Sequence, residues 1–264
     1  MRPFARPSAV HPLRRKAETG LRAPLKMLVG ICVAAIAITA FAADPWKDKE
    51  YKAWTMEDVQ KILFDSPWVK MVEVGAPWLK GSTHFLTPLP VDCNGRPEWG
   101  KGDRTPSSWA TGATESIVIF QVTWQSSRTV RAAKFRQSSL CGRVDPEKGD
   151  DLLEDTPDDY IIIVNSPDMT PFEGLDEDGL IKITNLVDPK TQKKIAPESV
   201  LIAKYGGRTT PYQLTFKFPR KTAAGEPAIP ADEKEIEFFS QAGKVKLKAK
   251  FQLSKMTGKN GPDL

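Results

Sequence analysis

In residues 244–253 (KVKLKAKFQL) the alternation is strict: Val245, Leu247, Ala249, Phe251 and Leu253 fall on one side and Lys244, Lys246, Lys248 and Lys250 on the other. A period of two marks a half-buried strand, because successive side chains leave a strand on opposite faces. Residues 234–239 (KEIEFF) precede it, so the pair predicts a hairpin around Gln241-Ala242-Gly243. The lysine row reads as a solvated face that discourages edge-to-edge pairing, in preference to a basic binding face.

Residues 116–124 (SIVIFQVTW) carry Val118, Phe120, Val122 and Trp124 on one face and Ile117 and Ile119 on the other, which predicts a central strand. Residues 160–164 (YIIIV) form a near-continuous apolar run and read as a buried strand. Further strands are predicted at 69–74, 180–187 (LIKITNLV), 192–195, 200–204 and 212–218, with Asp188-Pro189-Lys190-Thr191 as a turn.

A helical period occurs twice. In residues 54–70 (WTMEDVQKILFDSPWVK), Met56, Val59, Ile62 and Leu63 make one apolar face, Thr55 is placed to cap it with Asp58 three residues on, and Pro67 stops it. Residues 128–140 (RTVRAAKFRQSSL) are the second helix, with Ser126 or Ser127 as cap and Gly142 as stop. The expected fold class is α+β, mainly antiparallel β-sheet and sandwich-like in its C-terminal half, with two short helices on one face or edge. Residues 76–114 carry Pro77, Pro88, Pro90, Pro97 and Pro106 and read as a long irregular excursion, compatible with a short strand at 83–86.

The start of the chain reads as an address. A basic leader ends at Lys26; residues 27–42 (MLVGICVAAIAITAFA) are uncharged and apolar, and Ala40-Phe41-Ala42 is an A-x-A cleavage pattern. We expect a signal peptide over residues 1–42 and a single exported domain over 43–264, with a division near residue 170, where the chain turns mostly β, as the alternative. The expected localisation is the periplasm or the extracellular space. The apolar run is shorter than the ~20 residues that span a bilayer, so no stable membrane span is expected after cleavage.

Export changes the charge. The chain has 38 Lys and Arg against 33 Asp and Glu, but the signal holds seven of the former and only Glu18 of the latter, leaving 31 against 32 and a net −1. The basic balance that would suggest nucleic acid is lost with the signal. Cys93 and Cys141 are the only cysteines after residue 42; an oxidising compartment permits a disulfide between them, while their spacing alone leaves pairing open.

Catalytic motifs are scarce. His84 is the only histidine after residue 42, so multi-histidine zinc sites are excluded and a Ser-His-Asp or Cys-His arrangement could use only this residue. Residues 95–102 (GRPEWGKG) match the spacing of a phosphate loop but put Gly102 where Ser or Thr is needed. Asp176-Glu177-Asp178-Gly179 resembles the middle of a calcium loop, yet Gly174 and Asn185 stand at its end positions, and a turn before a strand is the simpler reading. No cofactor and no metal are expected.

All seven tryptophans lie between Trp46 and Trp124. Trp124 reads as core, whereas Trp99 and Trp109 sit in a polar loop and are the candidate binding residues. Trp54, Thr55, Glu57, Asp58, Ile62, Leu63, Ser66, Pro67 and Trp68, just after the signal and ahead of a β-rich remainder, carry a resemblance to a set of exported bacterial proteins of unknown function. That resemblance implies no activity, substrate or catalytic residue. The function expected is non-enzymatic binding of a protein or glycan partner, with no nucleic acid. The alternatives are a hydrolase built on carboxylates or on Cys93 with His84, and a carbohydrate-binding module using Trp99 and Trp109.

Overall fold

The computed structural model describes residues 44–80, 85–94 and 115–264; the expected signal segment, His84, residues 95–102, Trp99 and Trp109 lie outside the described residues. A short helix α1 (Pro45–Asp48) and a single 3-10 turn (Tyr51–Ala53) bring Trp46, Tyr51 and Trp54 into the core. Helix α2 (Met56–Phe64) then begins at a capping box: the Thr55 hydroxyl accepts from the Asp58 amide at 3.2 Å and the Asp58 carboxylate accepts from the Thr55 amide at 2.9 Å. Val59, Ile62 and Leu63 form its buried face, as the spacing predicts.

Strands β1 (Val69–Gly75), β2 (Phe85–Leu86) and β3 (Ile117–Trp124) follow. Helix α3 (Arg128–Leu140) is capped by the Ser127 hydroxyl, which accepts from the Val130 amide at 3.0 Å, and Gly142 follows it at φ 67°, a left-handed conformation that suits glycine after a helix. Next come α4 (Gly149–Glu154), β4 (Asp159–Asn165), α5 (Glu177–Ile183), β5 (Thr184–Val187) and β6 (Lys194–Ile195). The chain closes with β7 (Ser199–Ala203), β8 (Gln213–Pro219), β9 (Glu235–Ala242), β10 (Val245–Gln252), β11 (Thr257–Gly258) and β12 (Gly261–Pro262).

One sheet runs β1-β3-β4-β8-β7, antiparallel throughout, with β2 lying parallel to the start of β3. A second runs β10-β9-β5-β6, and β11-β12 is a two-stranded ribbon. In the first sheet, Val72 pairs with Phe120, Trp124 with Ile162, Ile162 with Phe216, and Phe216 with Val200, so these residues share one face. That face meets the second sheet: the Phe238 ring lies 5.5 Å from Phe216 and 6.4 Å from Phe218, and Trp124 lies 5.2 Å from Phe251. Burying each of these large side chains stabilises the fold by roughly 1.5–3 kcal/mol. On the opposite face of β3, the Gln121 amide donates to the Leu63 carbonyl at 2.7 Å and places α2 there. The architecture is α+β and rich in antiparallel sheet, as expected.

Three local expectations are corrected. Residues 180–183 are the second half of α5, because Asp176 is an N-cap whose carboxylate accepts from the Gly179 amide at 2.8 Å; Asp176-Glu177-Asp178-Gly179 therefore starts a helix and is neither a turn nor a calcium loop. The β9–β10 hairpin turns at Gly243-Lys244, since Ala242 still pairs with Val245. In β4, Tyr160, Ile162 and Val164 are buried while Ile161 and Ile163 are only partly covered, so the strand is half-buried in spite of its apolar run.

Candidate functional site

Cys93 and Cys141 form a disulfide, with S–S 2.10 Å and Cα–Cα 5.1 Å. It ties the segment after β2 to the residue that follows α3, and the Arg143 guanidinium donates to the Cys93 carbonyl at 2.7 Å beside it. A disulfide sulfur has no thiolate to offer, so Cys93 is not a nucleophile in this state. Among the described residues, no group of three or more His, Cys, Asp and Glu converges to hold a metal. Asp150, in α4, accepts from Lys52 at 2.6 Å and from the Tyr51 hydroxyl at 2.8 Å, and these two donors hold its carboxyl below the usual range. No helix among the described residues is long and apolar enough to cross a membrane.

The described tryptophans serve the core. Trp46, Trp54, Trp68 and Trp124 are buried, and Trp78 is anchored by its indole N–H, which donates to the Asp168 carboxylate at 2.9 Å. The segment 54–70 is thus how the chain enters its core, with Trp68 fully buried and Trp54 reaching the surface only at the edge of a cleft.

Among the described residues, the exposed aromatics are on the β7–β8 hairpin. β7 is the outermost strand of its sheet, and Leu201 on its outer face is 67% exposed, while Val200 and Ile202 to either side are buried and partly buried. In the connecting loop, Tyr205 and Tyr212 are 59% and 40% exposed and stack on each other with ring centroids 4.4 Å apart and planes 26° off parallel. The Arg208 guanidinium lies 5.9 Å from the Tyr205 ring.

Local hydrogen bonding holds this pair together. The Tyr212 amide donates to the Ala203 carbonyl at 2.9 Å and closes the loop base, and the Arg208 amide donates to the Tyr205 carbonyl at 3.1 Å across a tight turn. Gly207 completes that turn at φ 76°, where a Cβ would be strained. The Thr209 hydroxyl donates to Glu173, fixing the far side of the loop.

The backbone edge of β7 is guarded. The Val200 amide donates to the Glu177 carboxylate of α5 at 2.9 Å, which removes a donor that an added strand would need. Beyond its backbone this edge presents a leucine, two stacked phenol rings and a guanidinium, residue types that fill protein interfaces and that stack on apolar faces of ligands. The sequence signal that marks the pair is two tyrosines bracketing Gly206-Gly207 and Pro211 between strands, and pattern reading of strands alone passes over it.

No family model matches the chain, and neither a curated protein nor a solved structure matches it.

Proposed function

We propose that this is an exported, non-enzymatic binding protein that engages a protein or glycan partner through the β7–β8 hairpin. The observation that carries the reading is the preassembled Tyr205–Tyr212 stack, exposed beside Arg208 at the end of a guarded edge strand. Tyrosine and arginine are the residues on which binding energy concentrates, and a stack already formed loses little side-chain freedom on binding. The basic leader and Ala40-Phe41-Ala42 support export, and a disulfide accords with an oxidising compartment. The resemblance of residues 54–68 to exported bacterial proteins points the same way. Trp99 and Trp109 belong to this reading as further contact residues. No described arrangement favours the hydrolase alternative.

The test compares the wild type with a Y205A/Y212A variant on a glycan array and in photo-crosslinking from position 208 under exported conditions. The expected outcome is a ligand or partner bound by the wild type and lost by at least about tenfold in the variant, with an unchanged melting temperature. A ligand bound equally by both proteins removes the hairpin from the function.

A further inference from the structure

A cleft of about 510 Å³ lies at the amino end of α3, far along the chain from the hairpin, where three segments meet. Trp46, Tyr51 and Trp54 form its aromatic wall; Ser126 precedes the α3 cap, Arg128 and Arg131 belong to the first turn of α3, and residues of the segment from Gly258 to Leu264 also line it. Its volume is that of sites for small organic ligands.

Its walls hold unspent donors. The Trp46 indole N–H, the Ser126 hydroxyl and the Arg131 Nε are buried and make no hydrogen bond among the described residues, while another nitrogen of the Arg131 guanidinium donates to the Leu152 carbonyl at 3.3 Å; Trp46 is 4% exposed and Ser126 2%. Two of these groups can only donate and the third can donate, so what satisfies them is an acceptor. Leaving buried polar groups unpaired is costly, which makes three at one cleft a specific feature. The charges agree. The Arg128 guanidinium is exposed and makes no hydrogen bond or ion pair among the described residues, and burial lowers the Arg131 pKa in spite of Asp263 nearby.

The protein already seats one carboxylate here. Asp263 accepts from the Arg128 amide at 2.6 Å and from the Thr129 amide at 2.8 Å, at the first turn of a 13-residue helix. The backbone donors at that position are thus engaged by the chain itself, whereas the Ser126 hydroxyl, the Arg131 Nε and the Arg128 guanidinium beside them have no hydrogen-bond partner among the described residues.

We propose that this cleft binds a small organic acid, its carboxylate taken by Arg128, Arg131 and Ser126 and its apolar body lying against Trp46, Tyr51 and Trp54. The planar fork of a guanidinium matches a carboxylate, and the aromatic wall selects against a bare inorganic anion. This site is independent of the β7–β8 hairpin and stands whether or not that hairpin binds a partner.

The test is an NMR titration of the purified full chain with benzoate, its neutral isostere benzamide, and inorganic phosphate, following the tryptophan indole N–H resonances, with Trp46 assigned by triple-resonance methods. Benzoate is expected to shift the Trp46 resonance saturably, and R128Q to weaken that binding about tenfold or more without changing the melting temperature. Benzamide and phosphate are expected to leave the resonance unsaturated. A Trp46 resonance unmoved by tens of millimolar benzoate, equal binding by R128Q, or benzamide or phosphate matching benzoate would each overturn the assignment. Because Arg128 is exposed, its substitution leaves the fold intact and the comparison interpretable.

Discussion

Trp68 donates its indole N–H to the Asp263 carbonyl at 2.6 Å, joining residues 195 positions apart. The same Asp263 caps α3 with its carboxylate, so one residue links the opening segment, the helix and the β11–β12 ribbon. Trp68 is fully buried and meets Trp46 edge-on at 5.6 Å. We expect W68F to lower stability by about 1–2 kcal/mol through the lost hydrogen bond and small void, and W68A by about 3–5 kcal/mol. Urea unfolding followed by circular dichroism measures both; a W68A loss below that of W68F would contradict this role.

The Thr55–Asp58 capping box predicts an acid-sensitive helix start. Burial raises the Asp58 pKa, but hydrogen bonds from Lys49 and from the Thr55 amide and hydroxyl outweigh it and hold the carboxyl below its usual 3.8. A depressed carboxylate contributes stability that is fully present above 3.8 and is lost as pH falls through the lower folded value. T55A should cost about 1 kcal/mol at neutral pH. D58N should flatten the acid end of the stability curve, and an unchanged slope below pH 4 in D58N would exclude the linkage.

Lys134 on α3 predicts a pH dependence of the same sign at the alkaline end. Burial pushes its ammonium down from 10.5 to about 8. Between those values the unfolded chain holds the proton and the folded chain does not, so this group makes the protein more stable as pH rises from about 8 to 10.5. K134M should therefore gain about 1–2 kcal/mol at pH 7, and the gain should shrink toward pH 10.5. Guanidinium unfolding at the two pH values reads the difference; a gain independent of pH would mean that packing, and not charge, is responsible.

The Cys93–Cys141 bridge spans 48 residues of sequence. Closing a loop of that length in the unfolded chain corresponds to about 4 kcal/mol in the chain-entropy treatment. Reduction, or the C93S/C141S pair, should lower stability by up to that amount while leaving the far-ultraviolet circular dichroism unchanged at low temperature. Equal denaturation midpoints with and without reductant would show that the bridge does not constrain the unfolded chain.

The elements read most directly from the sequence are those whose determinants lie within a few residues. Thr55 with Asp58, the apolar face of Val59, Ile62 and Leu63, the span from Arg128 to Leu140, and the alternation through Val245, Leu247 and Ala249 all appear where the pattern places them. Residues 180–183 read as strand in the sequence because LIKI satisfies a period of two over so short a run. What makes them helical is the Asp176 cap together with contacts from elsewhere: Leu180 is fully buried and Glu177 reaches across to the Val200 amide. In the same way Ile161 and Ile163 are apolar yet only partly covered, because coverage of a sheet face depends on what the rest of the chain lays over it.

Amino-acid order alone determined the α+β class, the limits of the main helices and strands, the shortage of catalytic histidine, and the availability of two cysteines for one bridge. The tertiary structure decided that Cys93 and Cys141 meet, that the tryptophans of residues 46–78 serve the core, that Tyr205 and Tyr212 are the exposed aromatics among the described residues, and that Trp46, Ser126 and Arg131 share one cleft. The division has one physical cause. Capping and periodicity act over one or two helical turns, while burial, pairing and convergence are properties of side chains brought together from positions tens to hundreds of residues apart.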